Sequence, residues 1–185
     1  AADPPVSLTG QQGTKNLPAW NLEVPFSQST KTGGINELIE TGSANVLTNA
    51  SFEHSTPATG WTAAGAPTAD TTTYLQGKKA LVLPVIAAAG DMLAQNFTNC
   101  SQFSGNNMEA SIYLKTTTLV AQVCSVVAGA EYQCVAVDSS GLWKKHVLNF
   151  GAPTTGACGI KVKATAATAV TVSADAAYLG LATNI

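Results

Sequence analysis

Side chains able to do acid–base, nucleophilic or metal chemistry are sparse in this chain of 185 residues, which holds eleven Asp and Glu, two histidines and four cysteines. His54 and His146 sit in no nucleophile or metal motif. Glycoside hydrolysis needs two carboxylates facing each other across about 5–10 Å, and no motif pairs the scattered acids, so catalysis is not expected. The stretch best suited to ligand chemistry is "MEASIYLKT", from 108 to 116. Alternation with a period of two sends Met108, Ala110, Ile112 and Leu114 to one side and leaves Glu109, Ser111, Tyr113 and Lys115 together on the other. A flat aromatic ring against the CH patches of a sugar, flanked by groups that bond its hydroxyls, is the chemistry this set offers; an ordinary solvated strand face has the same pattern. Tyr132 and Gln122 lie on apolar runs expected to neighbour it, and Tyr74, in the Thr-rich "TADTTTYLQGKK", is on a loop free to meet a ligand.

Those residues need a scaffold, and the composition narrows its class. The chain is 45% hydrophobic but only 11% charged, well under the quarter or so common in globular domains, so Thr, Ser, Asn, Gln and Gly must carry its solubility. All nine basic residues are lysine and the net charge is −2. Without the bidentate arginine fork, nucleic acid is not an expected partner. No apolar run approaches the roughly 18 residues that span a bilayer, so membrane insertion is not expected either. The opening "AADPPV" has neither the charged nor the apolar segment of a signal peptide.

Cys100, Cys124, Cys134 and Cys158 admit three pairings and show no Cys-x-x-Cys spacing, which favours disulfides over a zinc or redox site. In "VAQVCSVVAGAEYQCVAV" two β-rich runs flank Ala-Gly-Ala, and a three-residue hairpin loop with Gly129 in the left-handed region sets Cys124 opposite Cys134. Cys100 and Cys158 are then the remaining pair. Disulfides imply an oxidising compartment: cell surface, medium or periplasm. Asn49, Asn96 and Asn99 open glycosylation sequons, although such triplets also arise by chance in a chain so rich in Asn, Ser and Thr.

Two regions differ in character. Residues 1–43 hold Pro4, Pro5, Pro18 and Pro25 and cannot build a core, yet "WNLEVPFS" places Trp20, Leu22, Val24 and Phe26 on one face of an extended edge strand. Ile35, Leu38 and Ile39 follow in one helical turn or a strand. This segment reads as a linker with one docked strand or as the end of an oligomeric stalk. From 44 to 185 the pattern is strand after strand: "ANVLT", "KALVLPV", "LAQNFT", "MEASIYLKT", "LVAQVCSVV", "YQCVAVD", "WKKHVLNF", "GIKVKAT", "AVTVSAD" and "AAYLGL". About ten short strands without an amphipathic helix between them predict an all-β, antiparallel β-sandwich.

The landmarks "NVLTNASFEHSTPATGW", "QNFT", "GLWKKHVLNFGAPTTG" and the closing "SADAAYLG" resemble, in order, those of carbohydrate-binding-module-like jelly rolls. Such domains occur as appendages of polysaccharide hydrolases, in phage tail fibres, and at the tips of trimeric adhesive fibres. The resemblance implies a jelly-roll tip domain over 44–185 on an N-terminal stalk over 1–43, acting without catalysis as an extracellular or cell-surface homotrimer that recognises glycans. A module appended to a hydrolase and a purely structural fibre subunit are the competing readings. The resemblance also implies that Trp61 and Trp143 are core positions, though Trp61 remains a candidate ligand contact beside Glu109, Tyr113, Lys115, Tyr74 and Tyr132. No cofactor is expected, apart from a structural calcium that relatives hold between the opening and closing strands. Here Glu53 and Asp175 are the only carboxylates for it, and calcium requires about six to eight oxygens.

Overall fold

A computed structural model describes residues 45–182. The expected strand at 20–26, the turn at 35–39 and the stalk itself lie outside the described residues. Ten strands follow in order: β1 (Thr62–Ala63), β2 (Thr68–Asp70), β3 (Ala80–Leu83), β4 (Gly90–Phe97), β5 (Asn107–Lys115), β6 (Ala121–Val127), β7 (Ala130–Ala136), β8 (Lys144–Gly151), β9 (Cys158–Ala164) and β10 (Val172–Leu181). They form two five-stranded sheets, ordered β1-β4-β9-β6-β7 and β2-β3-β10-β5-β8, with every pairing antiparallel. The expected all-β sandwich is therefore the observed architecture.

Alternation decides which side of each strand faces the other sheet. Met108, Ala110, Ile112 and Leu114 of β5 are fully buried and meet Leu148 of β8 and Leu179 of β10 within one apolar core. From the other sheet Leu93, Val123, Ile160 and Val162 close it. The Cys100–Cys158 disulfide lies within this core, with the Met108 sulfur 3.3 Å from the Cys100 sulfur. Cys124–Cys134 joins directly opposed residues of β6 and β7. Both bridges are the pairs expected from the sequence.

Three local expectations are corrected. The β6–β7 connection is a two-residue loop, not three, because Val127 pairs with Ala130. Ala128 (φ 53°) and Gly129 (φ 82°) both take the left-handed conformation, the twist that matches strands joined by so short a loop. The run "AVTVSADAAYLGL" forms one strand, β10, with a bulge between Asp175 and Tyr178 that puts Ala176 at φ 47°. Lastly, residues 45–48 of the expected "ANVLT" strand are not a strand. Side-chain amides take over the backbone bonds that a ladder would have made. Asn45 accepts from the Leu47 and Leu179 N–H groups and donates to Ala177 O, and Gln95 grips Thr48 through both its N–H and its carbonyl.

His146, on the inner side of β8, accepts the Asp138 N–H at Nε2 (3.0 Å). Its ring proton therefore sits on Nδ1, and a second proton would meet that N–H head on. Burial holds the imidazole below its ordinary value, outweighing the nearby backbone carbonyls and Asp138, which favour the cation. A depressed folded value means that the unfolded chain takes up the proton first, so this stability is present above about pH 6.5 and is lost as pH falls through the folded value. The melting temperature is expected to drop between pH 7 and pH 5, with a shallower slope in His146→Gln, where an amide oxygen can accept the same N–H; equal slopes would count against it. Asp138, held low chiefly by Ser140, titrates in a separate window below 3.8.

Candidate functional site

The outer face of β2-β3-β10-β5-β8 gathers the best-suited polar and aromatic side chains. On β5, Glu109, Ser111, Tyr113 and Lys115 point outward, opposite to the buried set. Register places Tyr113 between Asp175 of β10 and Lys145 of β8, and Ser111 between Tyr178 and Val147. Glu109 lies beside Asn149. Its carboxylate accepts from Ser111 Oγ (3.0 Å) and faces Lys145 Nζ (3.5 Å). Ser111 is fully buried while Tyr113, Glu109 and Lys115 are half-buried and Lys145 is exposed, so this is a furnished surface instead of a loose polar fringe.

A loop closes one side of it. Asp70 begins the loop by accepting the Thr72 N–H (2.8 Å), the Thr72 hydroxyl (2.7 Å) and the Thr73 N–H (3.0 Å), a turn geometry that ends β2 and holds the carboxyl below its usual range. Residues 71–79 then pass over β10, because Asp175 Oδ2 accepts the N–H groups of Leu75 (2.8 Å) and Gln76 (3.0 Å). Its other oxygen accepts from Ala176 N–H at 2.7 Å. Glu53 fastens the end of the loop by accepting the Lys78 N–H at 2.5 Å. Gly77 (φ 76°) makes this approach feasible, since a Cβ there would overlap the Glu53 carboxylate. Tyr74, exposed, is thus carried on a loop pinned next to the register position of Tyr113.

Glu53 and Asp175 are brought together, but what they hold is backbone. Burial raises the Asp175 carboxyl, the three N–H bonds oppose that, and the Glu53 charge adds to it. N–H donors meet the oxygens that a calcium would need, and no third Asp, Glu, His or Cys joins these two in a metal-sized cluster among the described residues. Among the described residues these two carboxylates are engaged by backbone N–H groups, and that clamp fastens the loop.

Two candidates fall elsewhere. Trp61, 8% exposed, stacks at 5.2 Å on the fully buried Phe52 and donates Nε1–H to Asn49 O (3.3 Å), which makes it a core residue. Tyr132 is exposed, but it lies on β7, an edge strand of the other sheet, and Gln122 lies on β6 of that sheet. Trp143 is half-buried at the start of β8. Lys145 and Asn149 were missed by sequence reasoning, although "KKHVLNF" carried their signal: His146, Leu148 and Phe150 alternate inward, which sends Lys145, Val147 and Asn149 out.

The two stacked sheets and this loop-walled outer face define a two-layer antiparallel β-sandwich of the jelly-roll kind. No protein-family model matches the chain, and no curated protein matches it. Among solved structures it is similar to the C-terminal family 22 carbohydrate-binding module of Clostridium thermocellum Xyn10B, at 18% identity over 73% of this chain and 93% of that one, with a TM-score of 0.54. TmCBM61 in complex with β-1,4-galactotriose matches at 18% identity over 73% and 97% (TM-score 0.51). A cyclase from Fischerella sp. TAU matches at 11% identity over 77% and 100% (TM-score 0.55). At such identities the likeness is one of fold, and the fold hosts more than one function.

Proposed function

We propose that the chain is a non-catalytic glycan-binding module whose ligand lies on the outer face of β5 and β8, beside the 71–79 loop. The observation that carries this is the placing of Tyr113 between Lys145 and the Asp175 clamp, with Glu109, Ser111, Asn149 and Tyr74 around it, on a sandwich shared with carbohydrate-binding modules. Tyr113 supplies the apolar platform, and the accessible groups of Glu109, Lys145 and Asn149 the hydroxyl partners, with buried Ser111 holding the Glu109 carboxylate. The Glu53–Asp175 pair, spent on backbone N–H groups, is unsuited to proton transfer. Two disulfides suit an extracellular setting.

Within this reading the chain is the tip of a homotrimeric fibre that attaches to glycans on a target cell, with residues 1–43 as stalk; weak single sites then gain by multivalency. A module appended to a polysaccharide hydrolase is the second reading, favoured by the relatives named above. Polysaccharide pull-down and a glycan array, run with the intact protein and with Tyr113→Ala, test the glycan site. Binding that weakens at least about tenfold in the variant, as the loss of one aromatic platform predicts, is the expected outcome, and silence of the intact protein on every glycan would leave the structural-subunit reading. Light scattering separates the first two readings: three times 18.8 kDa supports the fibre tip, and a monomer supports the appended module.

A further inference from the structure

One end of the sandwich is apolar in a way the glycan site does not use. Four loops meet there: 84–89, 116–120, 137–143 and 165–171. Gly141 N–H bonds to Thr116 O, Thr165 N–H to Val120 O and Thr168 N–H to Ile86 O, each at 2.9–3.0 Å, and Ile86 N–H returns to the Thr168 hydroxyl at 2.9 Å. The loops therefore form one continuous surface. Among their residues only Asp138 is charged. Leu119 is 83% exposed, Leu142 62% and Val85 51%, with Val170 and the alanines 87–89, 166, 167 and 169 exposed around them. Each of these side chains is unremarkable alone, but a contiguous apolar end marks an interaction surface.

Just below the loops stand lysines at strand ends: Lys115 closes β5, Lys144 and Lys145 open β8, and Lys163 is next to last in β9. Lys115 and Lys144 make no ion pair among the described residues, whereas Lys145 and Lys163 hold Glu109 and Glu131. The acids at this end are Asp91, held by Lys161 at 2.8 Å, and Asp138. The described chain enters and leaves at the opposite end, where Val46 N–H bonds to Leu179 O and Ala182 N–H to Asn107 O.

We propose that this end docks on the surface of an anionic phospholipid bilayer, its four loops entering the interfacial layer while the lysine collar meets the headgroups. The occupant follows from shape, composition and charge. Projecting loops of Leu, Val, Ala and Thr hold no Tyr or Arg and a single, half-buried Trp143, few of the anchors on which protein interfaces depend. Two copies meeting end to end would bring like-charged collars together. Apolar tips above a basic rim match a layer with an apolar interior and a negative surface, and Trp143, half-buried beside Leu142, sits at the level where aromatic side chains favour the bilayer boundary. No spanning segment is involved, as no helix among the described residues is long and apolar enough to cross a membrane. The expectation of no membrane insertion came from the lack of such a run, a test blind to short loops that converge only in the fold.

Co-sedimentation of the intact protein with phosphatidylcholine vesicles containing phosphatidylglycerol tests this directly, with Leu119→Ser/Leu142→Ser as the variant. Both side chains are largely solvated, so the double variant should melt at the same temperature as the parent. The parent is expected in the vesicle pellet, and the variant should partition at least about tenfold less, as loss of two buried leucines predicts. A parent that stays in the supernatant, or a folded variant that pellets equally well, would overturn the proposal. Neither result bears on glycan binding at Tyr113, which lies on the sheet face.

Discussion

Replacing Cys100 and Cys158 together by alanine is expected to cost about 4 kcal/mol of unfolding free energy by chain entropy alone, because their bridge closes a loop over a sequence separation of 58. Cys124–Cys134, with a separation of 10, contributes about 3 kcal/mol on the same basis. Packing widens the gap. Both members of the first pair are fully buried against Met108, so their loss also leaves a partly filled core, whereas Cys134 is only half-buried on an edge strand. Urea unfolding of the two double variants gives the comparison; an equal or reversed order would contradict the account of the core.

Asp175→Ala is the second large effect. It strips the acceptor from three N–H groups, those of Leu75, Gln76 and Ala176. Orphaned buried donors cost about 1–3 kcal/mol each, and relief of the buried charge offsets part of that, so a net loss of about 3 kcal/mol is expected. The sign of the pH dependence separates charge from hydrogen bonding. The folded carboxyl is raised, so its protonated form is the one favoured by folding, and that contribution is lost as pH rises through the folded value. Asp175→Asn, neutral at every pH, should therefore recover part of the loss through its remaining acceptor oxygen and lack this carboxyl's fall in stability above pH 4. Amide exchange in residues 71–79 should accelerate in Asp175→Ala well before global unfolding; unchanged protection would show that the clamp does not hold the loop.

Much of this arrangement was legible in the sequence because period-two alternation and turn chemistry are local. The inward and outward sets of β5, the Cys124–Cys134 hairpin and the sandwich class followed from neighbours in the chain. What escaped depends on contacts at long range. The opening segment looked like a strand until Asn45 and Gln95, reaching residues 134 and 47 positions away, took its hydrogen bonds. A bulge in β10 shifts the register, so simple alternation could not bring Tyr178 opposite Ser111. Tyr132 and Tyr113 are equally suitable side chains, and only the strand order assigns them to different sheets. The sequence reading paired Glu53 with Asp175, and what these two carboxylates accept from is decided by the path of a loop.

The central claim is that a glycan lies against β5 and β8. Its most direct test is a titration followed by amide chemical shifts, using the polysaccharide fragment that binds best in the array. The account predicts that perturbations centre on Ser111, Tyr113, Lys115, Lys145 and Asn149 and extend to the loop around Tyr74. Shifts confined to the opposite sheet, around Gln122, Tyr132 and Lys161, would contradict it.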